Sequence, residues 1–106
     1  GRDKLSKFNI MSKIKKKVVV DNEEIIDLEM QKYVNHIGLA IVYYRRLRKL
    51  TQAELGEKSD LATNYIGQIE RGERCPSLTT LIKIANALDT SGSKILADAE
   101  QKLDEE

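Results

Sequence analysis

Apolar residues at Ile26, Met30, Tyr33, Ile37, Ile41 and Tyr44 recur at intervals of four, three, four, four and three. That is the period of one helix face. The phase runs unbroken past Asn35 and Gly38, which predicts a single helix from about residue 22 to about residue 48, roughly 40 Å long at a rise of about 1.5 Å per residue. A hinge at Gly38, dividing it into two helices, is the alternative. Asp21 and Glu24 resemble a capping box, and Asp21, Glu23, Glu24 and Asp27 suit a helix N-terminus electrostatically. A second apolar stripe, Leu39, Tyr43 and Leu47, falls on the side of this helix turned away from its core face. Its expected cover is a second copy of the chain, with a folded-back Lys13–Val20 segment as the alternative.

From Thr51 the pattern shortens. Leu55 faces inward, with Gly56 beside it as a small residue for close approach. Asp60 stands where a left-handed turn is needed, which Asp tolerates better than most residues. Ile66 and Ile69 then mark the inner face of a helix over Ala62–Arg71, and Gly72 follows as its C′ residue. Two short helices about a tight turn make a helix-turn-helix, whose second helix is built to enter a groove. Beyond a loop at Glu73–Pro76, Ser77 is an N-cap. Leu78, Leu81, Ile82, Ile84, Ala85 and Leu88 give a fourth helix with all six placed on its inner side. Asp89–Gly92 reads as a turn. Ser93 to about Lys102 forms a fifth helix with Ile95, Leu96 and Ala99 inward, and the acidic tail Asp104, Glu105 and Glu106 is expected to fray. The expected fold is all-α, with five helices and an N-terminally extended first one.

Composition changes this picture little, but charge distribution adds to it. The formal net charge is only +1 over 106 residues. Residues 1–20 nonetheless carry seven Lys or Arg against the single acid Asp3. Residues 21–34 are acidic, and Arg45, Arg46, Arg48 and Lys49 are unopposed across residues 35–50. Such segregation suits a polyanionic partner, although a solvated face is the blander reading. The chain divides into a basic arm (1–20), a helix-turn-helix domain (21–103, motif 51–72) and an acidic tail (104–106). Residues 1–10 carry little pattern, and Met11 is a candidate natural start. Lys13–Val20, KIKKKVVV, reads as a basic arm, with a short strand as the alternative because three β-branched residues end it. A single cysteine, Cys75, excludes an intramolecular disulfide or a cysteine metal cluster. No apolar run could span a bilayer and no signal-peptide core follows the basic start, so a cytoplasmic protein is expected.

The segments TQAEL, IGQIERG and CPSLTTLIKIANAL, in that order and spacing, resemble the phage-repressor and Cro-like helix-turn-helix family of transcriptional regulators. The resemblance covers roughly His36–Leu96. It departs at Asp60, where the family usually has Gly, and at Gly56, where it usually has Ala. It implies that Thr63, Asn64, Gly67 and Gln68 match base-reading positions, that Gln52 binds a phosphate and braces the second helix, and that Arg45 and Glu70 form a partly buried ion pair.

The residues themselves agree in part. Stepping about 100° per residue turns Asn64, Gln68, Arg71 and Gly67 away from Ile66 and Ile69. Asn and Gln each offer a donor beside an acceptor, the pattern that matches adenine in the major groove, and Thr63 can meet a thymine methyl. Tyr65, Arg71 and Arg74 are candidate phosphate contacts. Lys13, Lys15, Lys16 and Lys17 could follow the backbone without reading sequence. Against these stands the possibility that an exposed polar face only keeps the helix soluble. Catalysis finds no footing. There is one histidine, His36, with no metal-binding spacing around it. Gly67 and Gly72 are spaced as in a phosphate loop, but Glu73 and Arg74 follow where Lys and Ser or Thr are required.

The expectation is a sequence-specific binder of double-stranded DNA, a homodimer on a palindromic operator, with no cofactor, metal or enzymatic activity. Two rivals are an antitoxin that also masks a toxin, and a protein-interaction module on the same fold. A toxin or antirepressor partner is left open.

Overall fold

The computed structural model describes residues 17–20 and 24–106 of the chain. Among the described residues five helices carry the fold: α1 (Leu28–Leu47), α2 (Gln52–Ser59), α3 (Thr63–Glu70), α4 (Leu78–Ala87) and α5 (Gly92–Asp104). Ahead of them a two-stranded ribbon joins β1 (Lys17–Val20) to β2 (Glu24–Asp27), antiparallel, with Lys17 opposite Asp27 and Val20 opposite Glu24.

The ribbon corrects two expectations. The helix begins at Leu28 rather than near residue 22, and Lys17–Val20 is a strand rather than an arm. The physical reason is the run of β-branched residues, Val18–Val20 and Ile25–Ile26, which lose side-chain freedom in a helix and gain by pairing. The capping box expected at Asp21 and Glu24 does not start a helix, because Glu24 opens β2. Its partner Asp21 lies outside the described residues.

Once begun, α1 is continuous through Gly38. The glycine marks close packing rather than a hinge. A Cβ there would lie 2.5 Å from the Ile69 carbonyl oxygen and 2.6 Å from that of Glu70. Backbone meets backbone where α1 crosses the last turn of α3.

The core gathers one residue set from each helix. Ile41, Leu55, Ile66, Ile69, Ile84, Leu88 and Ile95 are fully buried, with Ile37, Tyr44, Leu81, Ala85 and Ala99 around them. Val34 and Leu103 are buried too, although the apolar pattern did not single them out. Leu103 anchors the last turn of α5, so the helix includes Asp104, which the sequence pattern assigns to the tail. Leu78 and Ile82, expected inward from the pattern, are 69% and 45% exposed. Of the six, Leu81, Ile84 and Ala85 on α4 and Leu88 at its C-cap reach the core, and the other two lie on the exposed side of the helix. Met30 is exposed as well, at the open end of α1.

The helix ends follow local chemistry. Thr51 and Glu54 form a reciprocal capping box on α2: the Glu54 amide donates to Thr51 Oγ1 at 3.0 Å, and the Thr51 amide donates to Glu54 Oε1 at 2.8 Å. Asp60 ends α2 with φ 57°, the left-handed turn expected there. Gly56 lies against the Leu61 carbonyl oxygen, where a Cβ would approach to 2.6 Å. Ser77 and Ser91 cap α4 and α5.

Candidate nucleic-acid interface

The helix-turn-helix is α2 and α3, held by a polar lock at the end of α3. Arg45 on α1 grips the Glu70 carboxylate with two bonds, Nε to Oε2 at 2.6 Å and Nη2 to Oε1 at 3.0 Å. Its third nitrogen, Nη1, donates to the Leu50 carbonyl at 2.9 Å. Gln52 Nε2 adds a bond to Glu70 Oε1 at 2.8 Å. The side chains of Arg45 and Glu70 are only 12% and 4% exposed. A carboxylate receiving a fork from Arg and a further amide donor satisfies most of its acceptor sites, which is what a buried charge requires. No side-chain nitrogen or oxygen among the described residues is buried without a partner.

Gln52 belongs to this lock as well as to the start of α2. It opens α2, where unbonded amides favour an anionic oxygen, while its own amide braces the far end of α3. Gln52 Oε1 lies toward Gly67: a Cβ on Gly67 would be 3.6 Å from it and 3.0 Å from Arg71 Nη1. Gly67 is therefore buried beneath two side chains rather than open to solvent.

Thr63 and Asn64 are exposed on the first turn of α3, and Gln68 is half-buried one turn on. The N-cap of α3 is Ala62, which has no side-chain acceptor, so no side-chain cap satisfies the first amides of the helix. Tyr65 is half-buried, and the Arg74 guanidinium lies over its ring, 5.9 Å from the centroid. Arg71 is exposed and bonded to Glu73, with Nε to Oε2 at 2.7 Å. That hydrogen bond raises the Arg71 pKa and lowers that of Glu73. One face of α3 thus presents hydroxyl, amide and guanidinium groups together. Lys17 lies in β1; Lys13, Lys15 and Lys16 lie outside the described residues.

Two polar residues near this face carried no signal in the pattern: Gln31 and Asn35, both on the first turns of α1. Gln31 Nε2 donates to the Gly72 carbonyl at 2.9 Å. Their spacing of four marked only one helix face, and no local cue named a partner so distant in sequence.

Among the described residues no group of three His, Cys, Asp or Glu is placed to hold a metal ion, and no helix is long and apolar enough to cross a membrane. His36 pairs with Glu106 at the chain's end, and Cys75 is exposed in the loop before α4.

A buried scaffold that presents one polar helix is the architecture of a helix-turn-helix DNA-binding protein, and the family model described as Helix-turn-helix matches residues 41–95. The chain belongs to that family, one of Cro/C1-type transcriptional regulators rather than of enzymes. It is 49% identical over 53 residues to the control protein C.SmaI of Serratia marcescens, covering 50% of this chain and 63% of that one. It is 42% identical over 62 residues to the immunity repressor protein of Bacillus phage phi105, covering 58% of this chain and 43% of the repressor. The chain thus spans less than two thirds of either relative. Among solved structures it is similar to the biofilm master regulator SinR in complex with DNA, at 36% identity and a TM-score of 0.55, covering 57% of this chain and 97% of that one.

Proposed function

We propose that the chain is a sequence-specific, double-stranded DNA-binding transcriptional regulator of repressor type, reading its site through α3 in the major groove. The observation that carries this is the row of exposed Thr63 and Asn64 and half-buried Gln68 on a helix whose other side is locked by Glu70. Asn64 and Gln68 are the base readers, with Thr63 beside them. Gly67 lets Gln52 and Arg71 close over the helix between them. Gln52, Tyr65, Arg71 and Arg74 hold the phosphates on either side. The lysines Lys13, Lys15, Lys16 and Lys17 add sequence-independent attraction. Control of transcription follows by occlusion or recruitment at the bound site.

The working unit is a homodimer on a palindromic operator. Leu39, Tyr43 and Leu47 are each more than half exposed on the outer face of α1. With α5 they line a groove of about 650 Å³ rimmed by Lys94, Asp98 and Lys102. Leaving large apolar side chains in water forgoes roughly 1.5–3 kcal/mol each, which favours a partner surface there. A second copy supplies it, and the two-fold axis matches that of a palindrome.

Selection of bound duplexes from a random pool tests the reading, and an inverted repeat is the expected product. Recovery of no preferred sequence would refute it. Sedimentation of a Leu39→Glu, Leu47→Glu double variant tests the interface. It should be monomeric where the parent is dimeric, and an unchanged dimer would place the contact elsewhere, with exposed Leu78 and Ile82 the next surface to test.

A further inference from the structure

We infer that Gln31 and Asn35 are positioning residues for the DNA-reading face, acting as a strut from the first turns of α1 onto the end of α3. The inference rests on the reading of α3 given above and adds residues that precede the matched family segment, 41–95.

The strut is built as follows. Gly72 closes α3 with φ +75°, and two backbone bonds form the turn: Gly72 N–H to the Ile69 carbonyl at 3.0 Å and Glu73 N–H to the Gln68 carbonyl at 2.9 Å. The Gly72 carbonyl then points back at α1, where it accepts from Gln31 Nε2 at 2.9 Å. The same nitrogen donates to Asn35 Oδ1, also at 2.9 Å. Both amide protons of Gln31 are used, so the side chain is oriented by two partners at once. Asn35 completes the seat sterically. A Cβ on Gly72 would stand 2.1 Å from Asn35 Oδ1 and 3.3 Å from Asn35 Cα.

Gln31, Asn35, Gly38 and Arg45 are spaced by four, three and seven, which lines them along one side of α1. Each meets the end of α3: Arg45 holds Glu70, Gly38 packs on the Ile69 and Glu70 carbonyls, and Gln31 and Asn35 hold Gly72. The lock by Arg45 is buried, whereas the strut is half-buried to exposed. A hydrogen bond in contact with water adds little to global stability. What the strut determines is where the turn sits, and with it Arg71 and Glu73, the residues on either side of Gly72.

The test uses the full chain on the selected operator. Gln31→Leu keeps the side-chain bulk and removes both donors. Affinity should fall about three- to tenfold, the worth of one ordering hydrogen bond, with the melting midpoint unchanged within about 2 °C. Hydrogen exchange at the Gly72 and Glu73 amides should quicken while that of Ile66 does not. In an Arg71→Ala background the same substitution should change affinity less than twofold, because the group being positioned is gone. Equal losses in both backgrounds, unaltered affinity, or a fall in melting midpoint that accounts for the lost binding would each overturn the strut. If Asn64→Ala, Gln68→Ala and Arg71→Ala all left operator binding intact, the reading of α3 would fail, and the strut with it. If those three weaken binding and Gln31→Leu does not, the strut alone fails.

Discussion

Removing the Glu70 carboxylate is the sharpest test of how the two motif helices are held. In Glu70→Ala, Arg45 would keep only its bond to the Leu50 carbonyl, and Gln52 Nε2 would lose its acceptor. Breaking a buried ion pair from one side costs about 3–5 kcal/mol, because the remaining charge stays out of water without a partner. The Arg45 side chain is 12% exposed, so some water can reach it and about 2–4 kcal/mol is the expected loss. A chain of 106 residues has a total stability on the order of 5–15 kcal/mol, so the loss is a large fraction of the whole. Urea denaturation followed by circular dichroism measures it, with Glu73→Ala as the control. Glu73 makes a geometrically similar bond to Arg71, but both side chains are more than half exposed. Its removal should leave the urea midpoint where it is. A second arm replaces both partners, as Arg45→Met with Glu70→Leu. It should lose much less than Glu70→Ala, since the cost lies in stranding a charge rather than in missing an attraction. If Glu70→Ala moved the midpoint no further than the Glu73 control, the pair would be a surface contact and the account of the lock would be wrong.

Asn64→Ala and Gln68→Ala should each weaken binding to the selected operator by about 1–3 kcal/mol and leave random duplex almost unaffected, as gel-shift titrations on both DNAs would show. Arg71→Ala should weaken both and flatten the salt dependence; equal effects from all three on both DNAs would contradict the assigned roles. Gly38→Ala should cost about 1–3 kcal/mol in urea, because its new methyl meets two backbone carbonyls that cannot swing aside. The Tyr44 hydroxyl, held by burial first and then by its bond to Asp98, is pushed up to about 12 from 10.0. A raised folded pKa means stability is intact below pH 10 and declines as pH rises toward 12. Thermal melts of Tyr44→Phe should show less of that decline than the parent, and parallel curves would remove Tyr44 as its source.

Much of the fold was legible because its signals are local. Asp60 announces a left-handed turn by its short polar side chain and Gly72 by having no Cβ, Ser77 supplies its own cap, and Ile66 with Ile69 sets the phase of α3 within one turn. Turning Asn64 and Gln68 away from Ile66 and Ile69 needed only that phase. The pairing of Arg45 with Glu70 came from family resemblance, since the partners lie 25 residues apart and no spacing joins them.

Tertiary structure decided what depends on a distant neighbour. Ile26, Met30 and Tyr33 keep a helical period, yet Ile26 lies in a ribbon, because pairing two β-branched runs outweighed a phase that ordered nothing on its own. Six apolar residues on α4 could not all face one core, and the packing against α2 and α5 left Leu78 and Ile82 outside. Gln31 and Asn35 read as ordinary polar residues until the fold brings Gly72, some forty positions on, beneath them. A polar side chain carries its donors in its own chemistry, but which acceptor they reach is set only when separate helices pack.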